Sequence, residues 1–512
     1  MDAVATWDNS VYMSQFVEQE AGTHLVSRIR GGLGKGVCGQ VRVGAPDPSL
    51  TGNGGMVAVT ELCDRLDVIA ALDAAVGPIK QRDRGFGAGE LLVAIASAQL
   101  AGQDFLVGLD RVRTDATGQA LSPVPGLAST TAAGLARRFT DERWRAVESG
   151  LAAVTEKMLA LLAPQRVEAL TSGPVTIDMD ATDVEVYGRK KQGVAYNHQG
   201  QRVGRPHVAT WAETETTLAA DLGSGVDDPR ATAAKLLKRA LAGLPRRIRR
   251  EQVALRADAG YFAGQLARAA DEENIAFAIG AKHIAPLWRL LSGIAETDWR
   301  ATIDMQDGQV AVADYAPTDW PAGTRLLIRR VRLSPDQVSA DPRSRRRRTL
   351  HPDQRALPLD ELAHSDAIYA YSFILTNLDV STPDTAAAVE HWYRHRTSVE
   401  NIFRDSKHGA ALRHLPSGHQ AVNTAWMWGA LLAASIAGWL HQLTATITGV
   451  DILAGHGVRD GKAMIATLRH RLIAIPARLV RHAGQLILRP APGGRELLER
   501  ILTSLRALPN PP

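Results

Sequence analysis

From Val57 to about Ala163, apolar residues recur at helical spacing, as in VTELCDRLDVIAALDAAV and AGELLVAIASAQLAG. Turn signals such as SPVPG and the capping pattern in TDERW separate these segments. The pattern predicts a helical domain over 56–170, preceded by a Gly-rich, irregular extension over 1–55. The period changes at Ser172–Pro174. PVTIDMDATDVEVYG alternates Val175, Ile177 and Met179 against Thr176, Asp178 and Asp180, a strand signature. RPHVATWAE and TTLAADL read as further strands. A helix from Ala231 to Ala242, the strand VALRAD, the helix FAGQLARAADEEN and the strand IAFAIGAK follow. Alternation of this kind predicts an α/β layer, here over 171–285. DMQDGQVAVADYA and TRLLIRRVRLS then read as antiparallel strands, so 286–367 is expected to be a β-rich insertion. The strand YAYSFILTNL opens a second part of the core over 368–445, and 446–512 is expected to be basic and helical. No internal repeat is visible.

The run YRHRTSVENIFRDSK, Tyr393 to Lys407, departs from ordinary amphipathic patterning. Wound as one α-helix, it places Tyr393, Arg396, Glu400 and Lys407 within roughly 60° of surface. Trp392, Val399, Phe403 and Ala410 form an apolar stripe immediately beside them. A solvated helix sets its charges opposite its apolar stripe. Here one carboxylate sits among cations at the edge of the buried face, which suits an acid that holds a metal beside a nucleic-acid backbone.

Composition narrows the class. A chain of 512 residues, 45% hydrophobic and 22% charged, fits a globular protein of several domains. Its net charge of +5 permits a polyanionic partner, and the basicity is concentrated. Lys235 to Arg256 holds eight Lys/Arg against Glu251 alone, and Arg343, Arg345, Arg346, Arg347 and Arg348 form a second cluster. From Asp451 onward ten Lys/Arg face four Asp/Glu. Cys38 and Cys63 are the only cysteines, which excludes a disulfide scaffold and points to a reducing cytoplasm. No signal peptide is evident. Arg413 to Asp451 encloses no charged residue, but its centre, TAWMWGALLAASIAGWLHQL, is rich in Ala and Gly and is expected to be a buried core helix rather than a membrane span. GGLGKG at 31–36 fails as a phosphate loop, because Ile29 stands where the first Gly is required and Gly36 replaces Ser/Thr. The histidines are not read as a zinc-protease pair.

Attack on a phosphodiester needs charge neutralisation at phosphorus and an activated oxygen, which two divalent ions about 4 Å apart supply. Mg²⁺ takes carboxylate oxygens, so a few acids converging from different elements suffice. Asp180 ends an apolar strand within DAT, with Asp178, Asp183 and Glu185 as competitors. Asp258 ends VALRAD and opens the turn Asp258-Ala259-Gly260-Tyr261, which a helix N-cap alone could also explain. Glu400 is either the third acid or a surface partner of Arg396 or Arg404. Strand C-terminal ends are where open α/β sheets place ligands.

Tyr393, Arg396, Glu400 and Lys407 have the Tyr-x2-Arg-x3-Glu-x6-Lys spacing of the YREK signature. With IDMDATDVEVYG and DAGY in order, Pro174 to Leu443 resembles the DDE insertion-sequence transposases, particularly their 1380-like branch. The resemblance implies an α/β, RNase H-like catalytic core interrupted by the β-rich insertion and flanked by helical N- and C-terminal domains. It implies a metal-binding, catalytic triad of Asp180, Asp258 and Glu400, with two Mg²⁺ ions that Mn²⁺ could replace. Tyr393, Arg396 and Lys407 would grip the transposon-end backbone, Arg and Lys through charge-assisted bonds. Arg345, Arg346 and Arg347 are candidate phosphate contacts in the insertion. Trp320, and less so Trp299, could offer a ring to a flipped base. The expected partner is double-stranded DNA, both terminal inverted repeats and target, bound by a homodimer in the bacterial cytoplasm. A related metal-dependent nuclease without strand transfer, or a catalytically inactive transposase-derived DNA-binding protein, are the rival readings. A two-carboxylate glycosidase would leave Arg396 and Lys407 unexplained.

Overall fold

The computed structural model describes residues 44–81, 84–333, 338–339, 348–349, 368–448 and 463–509. Ser49–Pro512 is one compact unit, and a continuous apolar core runs through it from Met56 to Leu508. Its spine is a mixed sheet whose longer strands are β1 (Val175–Ala181), β2 (Arg202–Trp211), β3 (Thr216–Ser224), β4 (Val253–Ala257), β5 (Ala276–Ala281), β6 (Gly308–Ala313), β7 (Arg325–Leu333) and β8 (Ile368–Thr376). In space they run β3-β2-β1-β4-β5-β8-β7-β6. The first three are antiparallel, β4 and β5 run parallel to β1, and β8, β7 and β6 are antiparallel again.

The alternation in β1 does what its pattern predicts. Val175, Ile177 and Met179 are fully buried. Thr176 and Asp178 are buried too, because a helix covers their side of the sheet. That helix is α4 (Pro383–Arg394); further helices are α1 (Ala88–Leu100), α2 (Asp141–Leu161), α3 (Pro229–Gly243), α5 (Thr397–Arg404), α6 (Gln420–Thr448) and α7 (Arg495–Ala507). The Trp392 indole of α4 donates to Thr176 Oγ1 at 3.1 Å, closing the layer.

The β6–β7 hairpin forms as expected but extends the main sheet. β8 lies between β5 and β7 and pairs with both, so β5 never becomes an exposed edge. Most of 334–367 lies outside the described residues, including Arg343, Arg345, Arg346 and Arg347; only the backbone of Arg348 is described. The run GGLGKG and Cys38 also lie outside them, while Cys63 is a buried free thiol.

The charge-free segment is α6, 29 residues long. Trp426, Trp428 and Trp439 are fully buried along it, and its small residues let other chain segments come close. A Cβ on Gly429 would come within 2.4 Å of Ile95 on α1. Gln99 of α1 donates to the Trp426 carbonyl at 3.2 Å. Thus the N-terminal helices share one core with α6. Among the described residues no helix is long and apolar enough to cross a membrane.

Two expectations change. The segment Tyr393–Lys407 is not one helix: α4 stops at Arg394, His395 and Arg396 leave helical geometry, α5 restarts at Thr397, and Asp405–Gly409 widens into a π-turn. The C-terminal region is not all helical either. Ala477–His482 (β9) and Gln485–Pro490 (β10) form an antiparallel hairpin, and Leu50–Thr51 pairs with β9 as a third strand. Ala483 (φ 49°) and Gly484 (φ 78°) both take positive φ in its two-residue turn, the geometry that matches strand twist.

Glu148 fastens α2 to this frame. It accepts from the Ala220 N–H of β3 at 3.2 Å and pairs with Arg239 of α3, also at 3.2 Å. Burial lifts its carboxyl from 4.5 to about 7, against the pull of Arg239. A raised carboxyl pKa means the folded state holds a proton that the unfolded chain releases, so stability falls as pH rises through this window. We expect the urea midpoint to drop between pH 4.5 and about 7 and Glu148→Gln to reduce the drop by on the order of 1 kcal/mol. An unchanged slope in the variant would show that Glu148 is not its source.

Candidate active site

The register of β1 against β4 builds the site. Asp178 pairs with Arg256 and Met179 with Ala257 in the parallel ladder. One step further, the same register carries Asp180 and Asp258 to the sheet edge side by side. Asp178 and Arg256 close on each other through two bonds, Nε to Oδ1 at 2.7 Å and Nη2 to Oδ2 at 2.9 Å, and Asp178 is fully buried. Arg256 also lies over the Trp392 ring, 5.1 Å from its centroid. The choice between the two strand acids therefore has a physical answer: Asp178 is neutralised inside the protein, and Asp180 faces the opening.

Asp180, Thr182, Asp183, Asp258, Gly260, Tyr261 and Lys282 line one open cleft of about 590 Å³. Asp258 caps the turn after β4, its Oδ1 accepting from the Gly260 N–H at 2.9 Å, so the capping role and a place in the cleft coexist. Burial pushes Asp180 up to about 6, Arg396 opposes the rise, and the charges of Asp258 and Glu400 add to it. Asp180 thus feels the charge of both other proposed acids. Asp183 is taken up by Arg205 at 2.6 Å and by Asn197 at 2.8 Å, and Glu185 is exposed beside the Tyr187 hydroxyl.

Three of the four signature residues reach these strand ends even though their helix is broken. The Tyr393 hydroxyl donates to the Ala257 carbonyl at 3.0 Å. Arg396 Nη2 reaches Asp180 Oδ2 at 3.2 Å. Lys407 Nζ donates to Thr182 Oγ1 at 2.6 Å and to the Asp183 carbonyl at 2.9 Å. Glu400 lies in the first turn of α5 and is exposed. Tyr393 needs Gly280 on β5, where a Cβ would stand 2.6 Å from the phenol oxygen.

The donor set suits a hard cation in part. Two carboxylates with like charge at a strand edge are the oxygen ligands such an ion takes. Two buried polar atoms beside them, the Tyr261 hydroxyl and Arg396 Nε, have no hydrogen-bond partner among the described residues. Among the described residues, however, no three Asp, Glu, His or Cys side chains form a closed metal cage. Asp180 and Asp258 line the same cleft, and Glu400 is exposed on α5.

Other expectations fare differently. Trp320 is 8% exposed and packs against Phe262 and Phe277, with centroids 5.6 and 5.8 Å away, so it has no ring face open to a base. Trp299 is buried under the Arg330 guanidinium. Arg345, Arg346 and Arg347 fall outside the described residues. His391 and His395 do stand one turn apart, ring centroids 4.1 Å, but His395 Nδ1 meets the His391 carbonyl at 2.5 Å, so this nitrogen faces the helix backbone. Sequence reading missed Arg256, Thr182 and Gly280. Arg256 had a signal, a lone cation inside an apolar strand two residues before Asp258. Gly280 had none.

A family model described as a transposase DDE domain, group 1, matches residues 38–340 and 361–510. No curated protein matches the chain. Among solved structures, the cryo-EM structure of a piggyBac transposase synaptic complex with hairpin DNA aligns at 10% identity and a TM-score of 0.37, covering 75% of this chain and 76% of that one. That likeness is too weak to bear on function.

The buried pair gives a stability test. Arg256→Met takes the guanidinium away from the buried Asp178, and we expect a loss of about 3–5 kcal/mol in chemical denaturation. Asp178→Leu combined with Arg256→Met should recover most of it. A single variant as stable as the parent would contradict the structural role given to Asp178.

Proposed function

Because the chain belongs to the DDE transposase family, we propose that it is a YREK-type, 1380-like insertion-sequence transposase. It binds terminal inverted repeats, cuts the strand at the transposon end and joins the freed 3′ hydroxyl to target DNA. The observation that carries this reading is the pair Asp180 and Asp258, set by one parallel register at the mouth of one cleft and flanked by Arg396 and Lys407. The strand order β3-β2-β1-β4-β5, three antiparallel and two parallel, supports an RNase H-like core.

Asp180, Asp258 and Glu400 are the residues that would hold divalent ions, Mg²⁺ or Mn²⁺. When bound, such ions neutralise the scissile phosphate and activate the attacking oxygen. The protein's own groups prepare the place. Arg396 offsets the charge of Asp180, whose carboxyl is otherwise driven towards its neutral form by burial and by Asp258 and Glu400. Lys407 fixes Thr182 and the Asp183 carbonyl, so the segment after Asp180 keeps its course. Tyr393 holds the end of β4 at Ala257. Arg396 and Lys407 also put positive charge where a phosphate backbone would lie, and we assign them contact with the transposon end from these braced positions. Glu400, exposed in the first turn of α5, would supply the third carboxylate. A homodimer brings two ends into one synaptic complex.

The test is divalent-metal-dependent cleavage of a duplex carrying the inverted repeat, followed by joining to a target plasmid. Changing Asp180, Asp258 or Glu400 to Ala should each lower cleavage by roughly three orders of magnitude while melting temperature is kept. Cleavage retained by Glu400→Ala would sink the three-acid mechanism, and cutting without joining would favour the nuclease reading. Arg396→Ala and Lys407→Ala should weaken end binding; unchanged binding would remove their assigned contact.

A further inference from the structure

The stretch from Val186 to Ala212 contains no acid, while Arg189, Lys190, Lys191, Arg202 and Arg205 all fall there. Its first part forms a small flap beside the cleft. The short strands Val184–Glu185 and Ala195–Tyr196 flank β2 on its two sides, so Val203 faces Glu185 on one side and Ala195 on the other. His198 and Arg205 line the same cleft as Asp180 and Asp258. Two phenol rings stand open on this flap: Tyr187 is 86% exposed and Tyr196 is 66% exposed. Tyrosine normally buries much of its ring, so two open rings beside one cleft call for a partner that covers them.

The flap is braced on several sides. Asn197 builds its tip: Oδ1 accepts from the Gln199 and Gln201 N–H groups at 3.0 and 2.9 Å, and Nδ2 donates to Asp183 Oδ2 at 2.8 Å. Gly200 takes positive φ (75°) in the turn. The Arg202 guanidinium donates to the Gly188 and Lys191 carbonyls, and the Lys191 ammonium donates to the Leu415 and Ser417 carbonyls. The Gln192 N–H donates to the Gly418 carbonyl at 2.9 Å. These two cations therefore fold the flap through neutral acceptors. Arg189 and Lys190 are exposed and form no ion pair among the described residues. The Tyr187 hydroxyl donates to Glu185 Oε2 at 3.2 Å, which leaves the faces of its ring open. Rings carried on a braced flap lose little freedom when a flat group stacks on them.

We propose that this flap is a platform for single-stranded DNA: bases of an unpaired strand leaving the cleft stack on Tyr187 and Tyr196, and Arg189 and Lys190 take its phosphates. This rests on the transposase reading above. Open aromatic faces interleaved with cations are what an unpaired strand requires, because every base has a face to stack and every phosphate a charge to neutralise. A blunt duplex keeps its base faces inside its own stack, so the tyrosines tell the two forms of DNA apart. Asn197 ties the tip to Asp183, in the segment that follows Asp180, so the bound strand keeps a set course past the cleft.

The experiment measures binding of the full chain, over a salt series, to a blunt duplex of its own terminal repeat and to the same duplex with an unpaired overhang at the cleavage point. The overhang carries a fluorescent purine analogue. The parent should hold the overhang duplex more tightly than the blunt one and quench the analogue. Tyr187→Ala and Tyr196→Ala should each weaken overhang binding about tenfold and reduce the quenching, with blunt-duplex binding and melting temperature unchanged. Tyr196→Phe should behave as the parent, since stacking uses the ring face. Arg189→Ala with Lys190→Ala should lower the slope of log affinity against log salt for the overhang duplex by about 1.4, at about 0.7 for each single-strand phosphate. Tyrosine variants that match the parent, or that lose equally on blunt and overhang duplexes, would overturn the proposal. Metal-dependent cleavage by the unmodified chain, run in parallel, keeps the two readings apart. Overhang binding that depends on the tyrosines in a parent that cuts no repeat would retain the platform and reject the transposase. Normal cleavage with overhang binding indifferent to the tyrosines would do the reverse.

Discussion

The parallel register of β1 on β4 is the constraint from which the rest of the site follows. It sets Asp178 beside Arg256 in the interior and brings Asp180 and Asp258 to the same edge one step later. A slip of one residue in β1 would turn its side chains to the opposite face of the sheet. Such a slip would bury Asp180 without a partner and release Arg256 to no acid. The buried ion pair thus acts as a register lock. Its contribution to net stability is small next to the cost of breaking it on one side only.

Around this lock the protein arranges opposing charges with little slack. Asp180 is held near a protonation balance by burial and its acidic neighbours, with Arg396 as counterweight. Lys407 is half-buried, and desolvation lowers its pKa while Asp183 and Asp180 pull it back. Both cations come from the segment where helical geometry breaks, first at His395 and Arg396 and then in the π-turn. The break is what lets Tyr393, Arg396 and Lys407 reach three different points on the strand ends. A straight helix would have aimed all of them in one direction.

Much of this was legible in the sequence. The strands VTIDMDA and VALRA and the helix read over 231–242 follow from alternation and apolar spacing; the helix in fact starts at Pro229, where the Asp228 side chain accepts from the Arg230 N–H at 3.0 Å. α6 was recognisable as a core helix from its Ala and Gly content, since small residues serve close packing. What escaped had weak local signals. The break before Thr397 carries no Pro or Gly, although Thr397 and Glu400 have the spacing of a helix start. The C-terminal hairpin hides behind apolar residues on consecutive positions, Leu479–Val480 and Leu486–Leu488, and an Ala-Gly turn, which announces itself less clearly than Asn-Gly. The burial of Trp320 depends on Phe262 and Phe277, contacts that only tertiary structure creates. The same holds for Glu400, whose place at the start of α5 follows from the helix break before Thr397, which no periodicity describes.

The central claim is that Asp180 and Asp258, placed by one strand register, form a metal site that Glu400 completes. Anomalous diffraction at the manganese edge, from crystals of the full chain grown with Mn²⁺ and repeat DNA, addresses it directly. The account predicts a manganese peak within about 2.2 Å of carboxylate oxygens from both Asp180 and Asp258, with Glu400 as a further ligand. Manganese bound elsewhere, or a site that draws on Asp178 in place of Asp180, would contradict it.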